Sequence, residues 1–326
     1  MGMDTVPPQH TTPPRYALRE PGPSDAPALH ALWAASQDAD NPALRPHTGW
    51  WSLDAWATTA RLLLADGEPI GVAALDAAAG DAAVARLALV PAYRQPAATG
   101  LLVATTLDLA RAAGVARVRL DIPAAALWAS EQARARGFRP IRAVHVMLLP
   151  ADAPLPTARA VMGAHLRPLR PDEEPALLAA LNRAWAGTWN FRPLTLGTIL
   201  FDLAGQRAGV LVAGDDADDA HIVGTVHAVF DGAAHNPDGG PHAWISNLTT
   251  DPSWRGRGLG RALLAAGVAH LRRAGASSVA LGVDDADLAP IALYRSAGFA
   301  TIDTVDTWEP DAPDAPDGAD AATRAT

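Results

Sequence analysis

The sequence repeats itself, and this repeat restricts the possible folds more than any other feature. LALVPAYR (Leu87–Arg94) and LTTDPSWR (Leu248–Arg255) align at a constant offset of 161 residues. The alignment continues without a gap to a Gly-Phe pair in each copy, Gly137-Phe138 and Gly298-Phe299. A repeat of this length indicates two copies of one folding unit within the 326 residues.

Both copies show the same order of strands and helices. A helix of period 3.6 follows the repeated motif (Leu101–Ala113 and Leu259–Ala274), and a short strand comes next (Val115–Ile122 and Ser278–Val283). A strand, two helices and three antiparallel strands are expected upstream of the motif in each copy. The pattern predicts an α/β fold of tandem domains, each with a mixed, mostly antiparallel central sheet flanked by helices.

The upstream parts of the two copies match more loosely, and they set the domain limits. YALRE (Tyr16–Glu20) is similar to AHLRP (Ala164–Pro168), here at an offset of 148. We expect domains over residues 15–150 and 164–309, joined by a Pro/Ala-rich linker over 151–163. Residues 1–14 and 310–326 are polar or acidic and poor in apolar side chains, so we expect both ends to be disordered.

Composition excludes several kinds of chemistry. The chain has no Cys and no Lys, so thiolate nucleophiles, Cys-ligated metals, Schiff bases and Walker-type phosphate loops are excluded. A net charge of -9 argues against nucleic acid or an anionic membrane as a partner. No segment approaches the ~18 apolar residues that span a bilayer, and we expect a cytoplasmic protein.

The strongest local motif lies after the fourth strand of the second copy. The strand ends in Leu248-Thr249-Thr250, and an Asp-Pro turn leads to Arg255-Gly256-Arg257-Gly258-Leu259-Gly260-Arg261, which begins a helix. Glycines let a ligand approach the backbone, and the N–H groups of the first helical turn have no intrahelical acceptors. The helix dipole and three arginines favour an anion, so the motif predicts a pyrophosphate site. The alternative is a tight connection without a ligand.

This segment resembles the acyl-CoA-binding motif of the GNAT (N-acetyltransferase) superfamily, Arg/Gln-x-x-Gly-x-Gly/Ala, with Arg255, Gly258 and Gly260 at the matching positions. APIALYRSAGF (Ala289–Phe299) is similar to the family's Ala-x-x-Leu-Tyr-x-x-x-Gly-Phe signature. The tandem organisation and the ending TVDTW (Thr304–Trp308) resemble mycothiol synthase-like members.

The resemblance implies transfer of an acetyl group from acetyl-CoA to a primary amine by direct attack on the thioester. It also implies that the pantetheine lies between the fourth and fifth strands, which splay apart. Tyr294 matches the family's thiolate-protonating tyrosine, and a phenol with a pKa of about 10 can donate a proton at neutral pH.

The proton acceptor is less evident. Many relatives use a Glu on the fourth strand, whereas His242–Thr250 contains no acid. His242 and His227 are the leading candidates, and Asp231 and His235 lie nearby in the sequence. Alternatively, the amine arrives unprotonated and needs no base. The histidines do not have the spacing of metal ligands, so we expect no metal.

The phosphate motif is degraded in the first copy. Gln95, Ala97 and Thr99 replace the three glycines, and Pro96 has no N–H to donate. Ala133 stands at the position equivalent to Tyr294. We therefore expect residues 15–150 neither to bind CoA productively nor to catalyse, and to serve a structural role or form part of the acceptor pocket.

Several questions about function stay open at this point. The acceptor is expected to be a small-molecule amine, such as an amino-thiol precursor, with a protein amine as an alternative. A non-catalytic acyl-CoA-binding regulatory or scaffold protein is a further alternative. Two Trp-rich stretches, Trp50–Trp56 and Trp185–Phe191, either line the acceptor site or pack in the core. Monomer and homodimer are both compatible with the sequence.

Overall fold

The computed structural model describes residues 13–40, 59–76, 82–189, 191–235 and 241–310. The chain forms two compact units. The described residues of the first lie within 13–40, 59–143 and 305–310, and those of the second within 144–304. Residues 1–12, 311–326 and the stretch Trp50–Trp56 lie outside the described ranges.

The first unit is a sheet flanked by helices. Its strands follow each other in chain order, and residues 305–308 of the final strand complete the sheet beside β5. Among the strand pairs of its described residues, only β4–β5 is parallel. The strands are β1 (Tyr16–Arg19), β2 (Ala60–Ala65), β3 (Glu68–Asp76), β4 (Ala82–Leu89), β5 (Arg117–Pro123) and part of β12 (Ala300–Pro310); the helices are α1 (Ala26–Asp40), α2 (Pro96–Ala112) and α3 (Leu127–Arg134).

The second unit has the same plan. Its strands lie in the order β6, β11, β10, β9, β8, β7, and of the pairs that the described residues form, only β10 with β11 is parallel. The strands are β6 (Phe138–Leu149), β7 (Ala164–Pro168), β8 (Val210–Asp215), β9 (Ile222–His235), β10 (Pro241–Thr250) and β11 (Val279–Asp284); the helices are α4 (Glu174–Trp185), α5 (Leu196–Leu203), α6 (Leu259–Arg273) and α7 (Leu288–Ser296). The predicted α/β class, with mostly antiparallel sheets flanked by helices, is confirmed.

Close packing of α6 on the sheet positions the start of this helix. Its apolar residues recur at helical spacing and are almost fully buried: Leu259, Leu263, Leu264, Val268 and Leu271. A Cβ at Gly267 would lie 2.9 Å from both Ile245 Cδ1 and Val226 Cγ2, so a glycine here lets the helix approach β9 and β10 closely.

The duplication is also visible where the sequences match only loosely. Arg19 makes two hydrogen bonds of 2.7 Å to the Asp25 carboxylate, and Arg167 makes two of 2.8 Å to Glu173. In both units a backbone N–H three residues upstream donates to the same carboxylate. The two ion pairs have the same 148-residue offset as the upstream sequence match. Both units therefore place the same kind of ion pair just before their first helix, α1 or α4.

The compact units differ from the expected domain limits at their last strands. Residues 144–149 of β6 pair with β11 in the second unit, whereas residues 305–308 pair with β5 in the first. Trp308 is buried in the core of the first unit, and Glu309 accepts a 2.6 Å hydrogen bond from Arg119. Residues 305–308 of β12 thus complete the sheet of the first unit, and residues 144–149 of β6 complete the sheet of the second.

Helix α2 begins at Pro96, earlier than the predicted Leu101. Gln95 is the extended N-cap residue, and proline suits the first helical turn because its missing N–H would have no intrahelical acceptor. The apolar periodicity used for the prediction starts one turn later.

Candidate active site

The turn between β10 and α6 has the backbone geometry of a ligand site. Gly256 and Gly258 adopt φ values of +78° and +86°, a left-handed region that favours glycine, and Gly258 is the N-cap of α6. A Cβ built on either residue meets no atom within 4 Å. The backbone therefore requires these two glycines, and the space beside them is open.

This turn also carries a run of available hydrogen-bond donors. Within the part of the chain that the structure describes, no carbonyl accepts from the N–H groups of residues 256–261. Free N–H groups at a helix start, together with the helix dipole, favour a bound anion such as a phosphate. The residues present thus fit the pyrophosphate of a CoA ligand.

The three arginines of the turn differ in their contacts. Arg255 donates a 3.0 Å hydrogen bond from Nη2 to the carbonyl of Ala184, so it connects the turn to the last turn of α4. The Arg257 guanidinium lies 4.8 Å from the centre of the Trp254 ring, and Arg261 bonds to the Ser296 hydroxyl. A guanidinium stacked on a ring keeps its edge N–H groups available to an anion, so Arg257 is well suited to contact phosphate.

The remaining predicted cofactor-binding residues offer their backbone rather than their side chains. Leu259 is buried in the core, and Thr249 is buried with its hydroxyl 2.9 Å from that of Thr225. Leu248 packs against the same core, and Thr250 is half-buried.

Strands β10 and β11 separate next to this turn, as the resemblance implies. They pair only at Trp244 with Ala280 and Ile245 with Leu281, although β10 continues along β9 to Thr250. Asn247 has a φ of +46° and lies in a β-bulge, a conformation that asparagine tolerates better than most residues. Residues 246–250 of β10 therefore have no β11 partner along one edge.

Tyr294 lies on α7 and is 6% exposed. Its ring packs 6.1 Å from that of Phe299, measured between centroids. Burial, with a smaller contribution from the Asp287 carboxylate, raises the pKa of Tyr294 to about 12. The phenol is therefore protonated across the physiological range.

The two candidate histidines differ in what the structure describes. His227 is on β9 opposite Ser246, is 6% exposed, and its Nε2 has no hydrogen-bond partner. Burial lowers the pKa of His227 to about 4, so the ring is neutral at pH 7. The backbone of His242 pairs with Asp231, but the side chains of both residues and of His235 lie outside the described part of the structure.

A small cavity of about 10 Å³, which is room for about one water-sized group, lies beside His227. Asn247 contributes to its wall, so the cavity adjoins the point where β10 leaves β11. Most of the lining is aliphatic and comes from α4, α5 and the start of β8: Leu177, Leu181, Ile199, Leu203 and Val210. From the second Trp-rich stretch, Trp185 packs against this same apolar cluster, and Trp189 is 43% exposed.

In the first unit, an internal carboxylate neutralises the matching arginine. Arg94 contacts both carboxylate oxygens of Asp40 at 2.8 Å, and Asp40 is 6% exposed. Arg94 also donates to the carbonyl of Ser36 at 3.2 Å, the equivalent of the bond from Arg255 to Ala184. In both units the arginine thus bonds to a carbonyl of the unit's first helix. Of the two arginines, Arg94 is the one that also pairs with a carboxylate, that of Asp40.

Comparisons with known proteins agree with this geometry. The model of the acetyltransferase (GNAT) family matches residues 175–299. A mycothiol acetyltransferase of Thermobispora bispora is 36% identical over 312 residues, which cover 89% of this chain and 97% of the relative. The chain belongs to the GNAT acetyltransferase family. It is therefore a GNAT N-acetyltransferase that uses acetyl-CoA, which favours the enzymatic over the non-catalytic alternative.

Other relatives and structures extend the GNAT match across both units. A mycothiol acetyltransferase of Nocardiopsis dassonvillei is 33% identical over 74% of this chain and 78% of its own length. The crystal structure of a GCN5-related N-acetyltransferase from Sphaerobacter thermophilus has a TM-score of 0.75 and 26% identity, covering 92% of this chain and 96% of that one. A tandem GNAT protein from the clavulanic acid biosynthesis pathway shares the fold, with a TM-score of 0.70, 18% identity and coverage of 90% and 98%.

The described residues were also compared with the requirements of a metal site and of a membrane-spanning helix. No three His, Asp or Glu side chains among them are grouped as a metal site would require. None of their helices has the length and apolar character needed to cross a membrane.

Proposed function

We propose that the second unit transfers an acetyl group from acetyl-CoA to the primary amine of a small amino-thiol, a precursor of mycothiol. The observation that carries the donor half of this proposal is the run of free N–H groups at residues 256–261, beside two glycines that leave open space. The names of the two mycothiol acetyltransferase relatives support the acceptor half.

The pyrophosphate binds the N–H groups of the turn, and Arg257 adds positive charge at its edge. The pantetheine arm lies along residues 246–250 of β10, whose edge β11 leaves unpaired. Its amide groups pair with this edge as an added strand would, so the chain fixes the thioester by backbone hydrogen bonds.

The amine nitrogen attacks the thioester carbon, the carbon–sulfur bond breaks, and CoA leaves as a thiolate. Tyr294 donates its phenolic proton to the sulfur. With a pKa of about 12 the phenol does not ionise beforehand, so the proton is available at every physiological pH. The same dehydrated surroundings raise the basicity of the thiolate, because burial disfavours any anion.

We propose that the amine enters in its neutral form. An α-amino group has a pKa near 8, whereas the pKa of His227 is about 4. Proton transfer from the ammonium to His227 is uphill by about four pKa units, or roughly 5 kcal/mol. His227 is therefore a poor base for this step, and His242 stays the candidate that accepts the proton after attack.

The Tyr294→Phe variant tests the mechanism. The ring and its contact with Phe299 are kept, so we expect unchanged acetyl-CoA affinity and a loss of kcat of about 100-fold. The rate of CoA release measures kcat, and calorimetry measures the affinity. Tyr93→Phe in the first unit is the matched control and should keep full activity. An unchanged kcat in Tyr294→Phe would contradict the proposed acid.

A further inference from the structure

The cavity beside His227 contains a buried polar atom without a partner. Nε2 of His227 has no hydrogen-bond partner, in a side chain that is 6% exposed. Leaving such an atom unpaired is unfavourable, and buried polar groups in folded proteins are nearly always paired. A ligand group with one hydrogen-bond donor would remove this cost.

The threonine hydroxyl of the cavity wall is already engaged. The Thr225 hydroxyl donates to the carbonyl of Asn247 at 2.8 Å and lies 2.9 Å from the Thr249 hydroxyl. Among the described residues, no Asp, Glu or Arg side chain lines the cavity, and six aliphatic side chains do. A charged ligand group is disfavoured here, whereas a small, neutral and weakly polar one fits.

The position of the cavity connects it to the reaction. Asn247 lies in its wall, two residues beyond Ile245, the last residue of β10 that pairs with β11. Under the proposed function the thioester lies in this opening between the strands. A group held in the cavity is thus part of the acceptor molecule, close to its reacting amine.

We infer that the cavity is the subsite for the acceptor's thiol, which is held as neutral S–H and donates a hydrogen bond to Nε2 of His227. This inference rests on the proposed amino-thiol acceptor. A thiol combines apolar character with a single weak hydrogen-bond donor. The aliphatic lining suits the first property, and the unpaired Nε2 suits the second.

This arrangement explains how the enzyme selects the amine over the thiol. An amino-thiol has two nucleophiles, and a thiolate would compete for the thioester. Apolar surroundings raise the pKa of a thiol, which keeps it protonated. Because the pKa of His227 is about 4, its ring is not an imidazolium that would stabilise a thiolate. His227 is thus a specificity-determining residue that leaves the amine as the sole nucleophile.

The test compares two amines that differ only in the proposed group. L-cysteinamide carries the thiol, and L-2-aminobutyramide carries a methyl group in its place. We expect the full-length wild-type protein to show a kcat/KM about tenfold higher for L-cysteinamide, as one weak hydrogen bond warrants. In His227→Leu the ratio of the two values should fall close to one, whatever happens to the absolute rates. His270→Leu, a histidine on α6 outside the cavity, should keep the wild-type ratio.

The possible outcomes separate this inference from the proposed function. A wild-type ratio near one, or a preference that survives in His227→Leu, would overturn the thiol subsite and leave the amino-thiol acceptor intact. If L-cysteinamide reacts and L-2-aminobutyramide does not react at all, the thiol is the nucleophile and the inference is wrong. If the protein binds acetyl-CoA but acetylates neither amide, the proposed acceptor fails as well. The wild-type comparison needs no variant, so it decides even where His227→Leu does not fold.

Discussion

Replacing Gly258 by Ala tests the pyrophosphate turn most directly. Gly258 has a φ of +86° and caps α6, and its added Cβ would meet no protein atom within 4 Å. The folded state therefore bears only the left-handed backbone penalty, about 1–2 kcal/mol. The protein should remain folded at room temperature with a lower Tm.

The effect on acetyl-CoA should be larger. The Cβ points into the open space that a phosphate would enter to reach the N–H groups of residues 256–261. Loss of one hydrogen bond to a charged group weakens binding by about 1.5–3 kcal/mol, which corresponds to roughly 10- to 150-fold in Kd.

Gly260→Ala is the matched control. Gly260 does not have a positive φ, and its Cβ would lie at ordinary contact distances, 3.5 Å from Leu293 Cδ2 and 3.7 Å from Thr250 Oγ1. Alanine also favours a helix, so this variant should be at least as stable as the wild type and should bind acetyl-CoA. Calorimetric titration measures both Kd values. Wild-type affinity in Gly258→Ala, or an equal loss in both variants, would refute the proposed position of the phosphates.

Three further predictions concern stability. Between pH 6.5 and about 4 the unfolded chain binds a proton at His227 that the folded chain does not, so stability falls with falling pH, by up to about 3 kcal/mol. The decline in Tm over this range should be shallower in His227→Leu, and parallel curves would contradict the lowered pKa. Arg94→Leu leaves the buried Asp40 carboxylate without its ion-pair partner and should lower the free energy of unfolding in urea by about 3–5 kcal/mol. Combining Arg94→Leu with Asp40→Leu should recover most of this loss. If Arg94→Leu alone is as stable as the wild type, the ion pair does not stabilise the fold. Trp308→Ala removes a side chain that is 3% exposed and should cost about 3–5 kcal/mol. Faster hydrogen exchange at β5 amides would locate that loss in the first unit, and unchanged exchange would argue against the pairing of residues 305–308 there.

Local sequence patterns predicted those parts of the molecule that local physics determines. The glycines at 256 and 258 require left-handed backbone, and the apolar spacing of α6 buries one face. These signals lie within a few residues of each other, so the turn, the helix and the repeat were all visible without a structure.

Features that depend on distant contacts were not visible. Asp40 and Arg94 are 54 residues apart, and no local pattern marks that aspartate as the partner of the arginine. The bulge at Asn247 has one weak signal, an asparagine within a strand. The sequence makes His227 a candidate proton acceptor, but burial, which a sequence does not reveal for a single histidine, lowers its pKa to about 4.

The exchange of final strands has a consequence for folding during synthesis. Arg119 and Glu309 are 190 residues apart, so the first unit gains this ion pair and the Trp308 side chain only after the second unit has been made. At ~5–20 residues per second, the edge of β5 waits on the order of 10–40 s for its neighbour. An unpaired strand edge invites association with other chains, so this interval is when the nascent protein is most exposed to aggregation. A fragment cut at the linker would keep that exposed edge permanently, whereas a circular permutant that begins with residues 305–310 would close it first.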